Sequence, residues 1–348
     1  MSERLQAPFP WMGGKSRAAQ QVWDGLGDVP HYVEPFAGSL AVLLARPTAA
    51  RSELVNDKDC FIANFWRAVK HDPEAVAHYA DWPANEADLH ARHAWLVARA
   101  DFRERMHSDP EHFDAKVAGW WVWGVGLWIG SGWCSAPAWA QSVPAGGGEA
   151  RARDLATTAT HRRRPNVGRG HKGVHRRASA LPHQSPRLSG HTGVHRDDVA
   201  GDGLVDWMNE LAQRLRRATV CCGDWTRVLT PCATTKVGVT GVLLDPPYSA
   251  EAGRDPSIYA EESLTVAHEV RAWALSNGDN PALRIVLCGL EGEHDMPATW
   301  RCEAWTAPGG YAAARGNRTN ALRERLWFSP YCLAPRQPTL FDTLERCL

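Results

Sequence analysis

No apolar run in this chain is long enough to cross a bilayer. The most apolar stretch, Val117 to Gly130, is 14 residues with four glycines, and a spanning helix needs about 20. The opening MSERLQAPFPWMGGK lacks the apolar core of a secretory leader. No C-x-x-C pair occurs among the nine cysteines, so the thiols read as reduced and mostly buried. These absences point to a soluble, cytoplasmic protein. A G-x-G-x-x-G turn is missing too, which counts against an NAD or FAD enzyme. Gly13-Gly14-Lys15-Ser16 imitates the end of a phosphate-binding loop. Phe9 stands where that loop needs its first glycine and no strand precedes it, so ATP hydrolysis is set aside.

Net charge is also absent, with 39 basic and 39 acidic residues, but the balance conceals an asymmetry. Residues 151–200 hold ten Arg and one Lys against three Asp, a net +8, so the other 298 residues carry −8. A basic, His-rich segment on an acidic body reads as a polyanion-binding element. Tryptophan, by contrast, is abundant: 17 in all, six of them between Trp120 and Trp139. At 348 residues, one large domain or two coupled ones is expected.

Residues 31–69 alternate strand and helix. HYVEP is a short strand ending in a tight turn at Gly38, with Ser39 placed to cap the helix LAVLLAR. SELVND is the next strand, and CFIANFWRAV has apolar residues at helical spacing. This βαβα pattern predicts a parallel sheet covered by helices. The texture returns after residue 218. VTGVLL is apolar throughout, as a central parallel strand should be. Leu264, Ala267, Val270 and Ala274 mark one helical face, RIVLCG is a buried strand, and RCEAWTA with RERLWFSP forms an antiparallel pair. Residues 72–205 differ: a helical stretch (EADLHARHAWLVARADFRERM), the Trp/Gly-rich run, which reads as the core of a helical subdomain, then the basic segment. The division expected is 1–71 with 206–348 as the sheet domain and 72–205 as an insertion.

The chemistry concentrates at Asp245-Pro246-Pro247-Tyr248, directly after VTGVLL. Ligands of open α/β sheets bind beyond the carboxyl ends of the strands. The tetrapeptide suits methyl transfer to an exocyclic amino nitrogen of a base, whose lone pair is delocalised into the ring. The Asp carboxylate accepts one amino hydrogen and a backbone carbonyl beside a proline accepts the other. Two prolines hold this geometry in place before reaction, and Tyr248 offers a face for stacking. An ordinary strand-ending turn is the plain alternative. A second element, Glu34-Pro35-Phe36-Ala37-Gly38-Ser39, is a small-residue turn into a helix N-terminus, where a ligand can approach the backbone closely. Asp57 lies 21 positions after Phe36, near the interval at which an acidic residue meets ribose hydroxyls.

Taken in order, PWMGGK, VEPFAGS, LVND, an inserted region, CCGDW and DPPY resemble the Dam-like, DPPY-type DNA adenine methyltransferases that use S-adenosylmethionine. The resemblance covers about residues 1–70 and 218–330. It implies a Rossmann-like methyltransferase sheet with helices on both faces and an inserted, mainly helical and loop, target-recognition region. It further implies that Trp11, Gly13, Gly14 and Lys15 help enclose the cofactor, that Glu34, Pro35, Phe36, Ala37 and Gly38 line its methionine end, and that Asp57 binds its ribose. Asp224 and Trp225 would contact its adenine, and Asp245 to Tyr248 would hold a flipped adenine of double-stranded DNA. Leu40 departs from the family, which has a second glycine there.

Within the insertion, GHKGVHR (170–176) and GHTGVHR (190–196) repeat. His171/His175 and His191/His195 have the i, i+4 spacing of a zinc pair, but Gly173 and Gly193 interrupt them and no cysteine accompanies them. A phosphate-contacting loop is the reading adopted, with no metal. Arg162, Arg163, Arg164, Arg176, Arg177 and Arg196 are the expected DNA contacts. Amino-methylation of cytosine, a catalytically inactive DNA-binding module and an RNA substrate remain open alternatives, as do the recognition sequence and oligomeric state.

Overall fold

A computed structural model describes residues 5–9, 11, 13–48, 51–128, 133–134, 200–248, 265–306 and 322–334. Its described strands form a single sheet: β1 (His31–Glu34), β2 (Ser52–Asp57), β3 (Ala218–Cys222), β4 (Thr240–Leu244), β5 (Leu283–Leu290), β6 (Arg301–Ala304) and β7 (Glu324–Phe328). They lie in the order β3-β2-β1-β4-β5-β7-β6. The first five are parallel, and β7 runs antiparallel to both β5 and β6. The order reverses between β1 and β4, the switch point of a doubly wound sheet.

Among the described residues the helices are α1 (Ala19–Leu26), α2 (Ala41–Leu44), α3 (Cys60–His71), α4 (Pro73–Ala80), α5 (Glu86–Val97), α6 (Ala100–Ser108), α7 (Ala115–Leu127), α8 (Ala200–Leu215) and α9 (Val266–Asn277). The sheet's side chains divide by the two-residue period of a strand. Tyr32, Leu243, Val286, Cys288, Leu326 and Phe328 join a core with α1, α3, α4, α7 and α8. Their neighbours Val33, Val242, Leu244, Ile285, Leu287 and Trp327 join a second core with α9. Both faces are therefore covered, which is why VTGVLL and RIVLCG are apolar without alternation. The arrangement is the expected Rossmann-like one. Among the described residues, no helix is long and apolar enough to cross a membrane.

Several local expectations hold and others need correction. The Trp-rich run is α7, which buries Trp121 and Trp123; Trp121 packs edge-on against Phe9. The helical stretch expected through 86–106 is two helices, parted at Ala98–Arg99. Arg99 leaves the helical line to pair with Asp101 and Asp114. Ser39 is not the cap of α2. Leu40 occupies that position at φ 51°, with no side-chain cap, and α2 is a single turn. The chain reverses here through two left-handed residues, since Gly38 also has φ 46°. Helix α3 is capped by Asp59, whose side chain accepts from Phe61 N. Asp72 caps α4 ahead of Pro73.

Glu53 of β2 anchors the far side of the sheet. Its carboxylate, 1% exposed, accepts from Arg214 of α8 through both oxygens, at 2.7 and 2.8 Å. Arg46 approaches the same carboxylate at 3.3 Å and donates to Val29 O. Arg214 also donates to Leu43 O, so one buried carboxylate ties α8 to the strand and to the α2 turn. Removing one member of such a group leaves uncompensated buried charge. Glu53→Ala is expected to lower folding stability by about 3–5 kcal/mol in chemical denaturation. A loss under about 1 kcal/mol, the range of an exposed pair, would show that the cluster is not structurally important.

Candidate active site

The carboxyl ends of β1, β2, β3 and β4 all face one edge of the sheet, where the turn after β1 contacts Asp57 and Trp11 and where Lys15 meets Asp245 and Tyr248. The turn after β1 is held from all sides. Ala37 N donates to Asn56 O and Leu40 N to Ala37 O, both at 2.8 Å. Gly38 N donates to Asp57 Oδ2 at 2.9 Å, and Trp66 Nε1 donates to Gly38 O at 2.9 Å. The Trp11 indole covers Gly38 so closely that a Cβ there would lie 2.6 Å from Trp11 Nε1. Gly38 is thus required both by its backbone angle and by that contact.

Asp57 closes the turn against β2. Its second oxygen accepts from Asp59 N at 2.9 Å. Burial, with Asp59 nearby, pushes its carboxyl up to about 7 despite these backbone donors. Glu34, at the end of β1, accepts from Tyr32 Oη at 3.0 Å. Burial holds it well above the carboxylate range; Tyr32 opposes this, while Asp245 and Asp57 reinforce it.

Lys15 is the counter-charge. Its ammonium is 3% exposed and sits 2.8 Å from Asp245 Oδ1, donating also to Gly13 O at 2.7 Å. The rings of Tyr248 and Trp305 flank it, with centroids 5.2 and 5.5 Å away. Burial works against its charge, but Asp245, Cys288 and Glu324 outweigh it and hold the ammonium above the ordinary lysine range. Burial likewise raises Asp245, and Lys15 counters it. Tyr248 Oη donates to Glu324 Oε2 at 2.7 Å. The tyrosine is therefore fixed at both ends, by the two prolines in the backbone and by Glu324 at the hydroxyl.

Other predicted residues contribute through the frame. Gly14 N donates to Trp11 O at 3.3 Å. Pro35 O accepts from Asn56 Nδ2, which also donates to Gly223 O, both at 3.0 Å. Asp224 accepts from Thr226 N and caps a one-turn 3₁₀ helix, Trp225–Val228. The Thr226 hydroxyl donates to the same carboxylate, and this bond with the backbone one lowers its carboxyl below the usual range. Trp225 is buried and stacks on Phe36, centroids 6.2 Å apart, so this pair reaches the site through Phe36. Arg162, Arg163, Arg164, Arg176, Arg177, Arg196 and the paired histidines lie outside the described residues.

Sequence reasoning missed Asn56, Glu324 and Trp305. Asn56 adjoins the predicted Asp57 and could have been flagged as a buried amide at a strand end. Glu324 and Trp305 carry no local signal. Strand β7 runs antiparallel, pairing Glu324 with Leu290, so its first residue lies at the edge where β4 ends. Trp305 follows β6, and its N–H donates to Glu324 O at 3.2 Å.

No curated protein matches the chain. Residues 11–116 match the model of the D12 class N6 adenine-specific DNA methyltransferase family. That span holds Trp11, Lys15, Glu34 to Gly38 and Asp57. Asp245 to Tyr248 lie beyond it and are joined to it by the Lys15 ion pair. The match is to an adenine-specific enzyme family, which weighs against both cytosine and an inactive module. Over those residues the chain is similar to the D12 class N6 adenine-specific DNA methyltransferases.

Proposed function

We propose that the protein transfers the methyl group of S-adenosylmethionine to the amino nitrogen of an adenine extruded from double-stranded DNA, at the sheet edge between β1 and β4. The observation that carries this reading is the Lys15–Asp245 pair, which couples the family-matched turn to the acid-Pro-Pro-Tyr corner.

The donor set fits the cofactor. Glu34, Asp57, Asp245 and Glu324 are all buried enough that their carboxyls are raised, with Lys15 as the cation among them. Such a site favours an added positive charge, and a sulfonium provides one. Glu34 to Gly38, Asp57 and Trp11 would hold it, with Asp224 and Trp225 toward its adenine. When bound, the cofactor supplies an electrophilic methyl group.

The chain's own residues do the rest. Asp245 accepts one hydrogen of the target amino group, and a backbone carbonyl beside a proline accepts the second, which localises the nitrogen lone pair. Lys15 opposes the effect of burial on the Asp245 carboxyl and so favours its ionised form. Tyr248, held by Glu324, receives the base by stacking and offsets part of an extrusion cost of a few kcal/mol. The proton lost after alkylation needs no strong base, because the alkylated amine is acidic. The arginines of residues 151–200 would neutralise phosphates and supply the salt-dependent part of DNA affinity.

Asp245→Ala would strand the buried Lys15 ammonium, so Asp245→Asn is the cleaner test. It is expected to reduce methylation about a thousandfold while far-ultraviolet circular dichroism stays near that of the parent. Normal turnover would refute the site. Lys15→Met removes the group that depresses Asp245, so the Asp245 carboxyl rises further and is protonated at higher pH. The acidic limb of the pH–rate profile should move upward by about one unit or more; an unmoved limb would dissociate Lys15 from Asp245. Neutralising Arg162, Arg163 and Arg164 together should lower the slope of log affinity against log salt by about 2–3, with cofactor binding unchanged. A parental slope would remove those arginines from the DNA contact.

A further inference from the structure

A second cluster of reactive side chains lies behind the Asp57 turn and takes no part in the chemistry above. Cys60 opens α3, Cys222 closes β3, and His107 stands in the last turn of α6. Cys60 Sγ is 3.7 Å from Cys222 Sγ and 3.4 Å from His107 Nε2. The three ligand atoms all lie within 4.8 Å of one another. Metal–sulfur bonds of about 2.3 Å and metal–nitrogen bonds of about 2.0–2.1 Å at tetrahedral angles place sulfurs roughly 3.8 Å apart and sulfur and nitrogen roughly 3.5 Å apart. Two of the three edges already have that spacing, and rotation of the exposed His107 ring can set the third.

We propose that Cys60, His107 and Cys222 form a zinc-binding site that pins β3 and α6 to the start of α3. Two sulfurs and an imidazole select a borderline, tetrahedral d¹⁰ cation over magnesium or calcium, which prefer oxygen. The two thiols are buried and His107 is exposed, so the fourth position is on the solvent side, where water completes the set. One helix end and one cation lie beside the sulfurs. Cys60 is the first residue of a helix, where the positive end of the dipole favours a thiolate, and the buried Arg67 guanidinium interacts with both cysteines. The location gives the site a structural reach. Cys222 pairs with Asp57 in the β2–β3 ladder, and Gly223 N donates to Asp57 O at 3.0 Å. A cation here would brace the strand end that carries Asp57 from the side opposite Lys15.

Cobalt(II) titration of the full, reduced chain tests this directly. A sulfur-to-cobalt charge-transfer band with intense tetrahedral d–d absorption is expected, saturating at one equivalent and displaced by Zn²⁺. Cys60→Ser and Cys222→Ser should each abolish the high-affinity band. His107→Ala, an exposed change that spares the fold, should weaken cobalt binding roughly a hundredfold. A chain with His171, His175, His191 and His195 all changed to Ala should keep the band, because imidazoles alone give no thiolate absorption. Absence of a thiolate band would overturn the proposal, as would its survival in both serine variants or an unchanged affinity in His107→Ala. None of these readouts depends on methylation, so they stand or fall separately from the catalytic reading.

Discussion

The ion pair between Lys15 and Asp245 is the constraint on which the rest of the site depends. An isolated ammonium or carboxylate withdrawn from water is costly. Here each is tolerated because the other is 2.8 Å away. The pair also joins two distant parts of the chain, the loop before α1 and the corner after β4, across the switch point of the sheet. Once it is in place, Tyr248 and Trp305 enclose the ammonium from two sides, and the tyrosine hydroxyl is turned toward Glu324. The pair is both the electrostatic centre and the latch between the halves of the site.

Around that latch the edge is predominantly acidic. Glu34, Asp57, Asp245 and Glu324 are each raised toward protonation by burial, an arrangement that stability alone would not favour. Strongly perturbed carboxylates gathered at strand ends are typical of sites that meet a cation or move a proton. The backbone adds a second strained feature, left-handed geometry at both Gly38 and Leu40, one residue apart. A glycine at position 40 would adopt that angle without steric cost. Leucine tolerates it because its side chain is completely buried, so apolar burial offsets a backbone penalty on the order of 1–2 kcal/mol.

Much of this was legible in the sequence. The apolar run before Asp245 read as a strand covered on both faces, and the structure has it so. The Gly38 turn, Asp57 at a strand end and the buried tryptophans of α7 were readable for the same reason: each is a local pattern with a local cause. Where the expectation failed, a longer-range force had won. Ser39 had the chemistry of a cap, yet the reversal required by Trp11 and Asp57 moved the helix start to Leu40. Strand β3 and helices α1, α4 and α8 were not named, since each is short or weakly patterned and owes its place to packing against neighbours.

What the residues alone determined was the pair of strand-end corners, their acidic character and the parallel sheet that presents them at one edge, because strand periodicity and turn chemistry act over a few positions. Only the tertiary structure decided that Lys15 belongs to Asp245, that Glu324 steadies Tyr248, and that Cys60, His107 and Cys222 converge. Those contacts join residues from 47 to more than 200 positions apart. No local pattern encodes them; the first two arise from the reversal of strand order at β4 and the antiparallel run of β7, the third from the pairing of β3 with β2 beside α3.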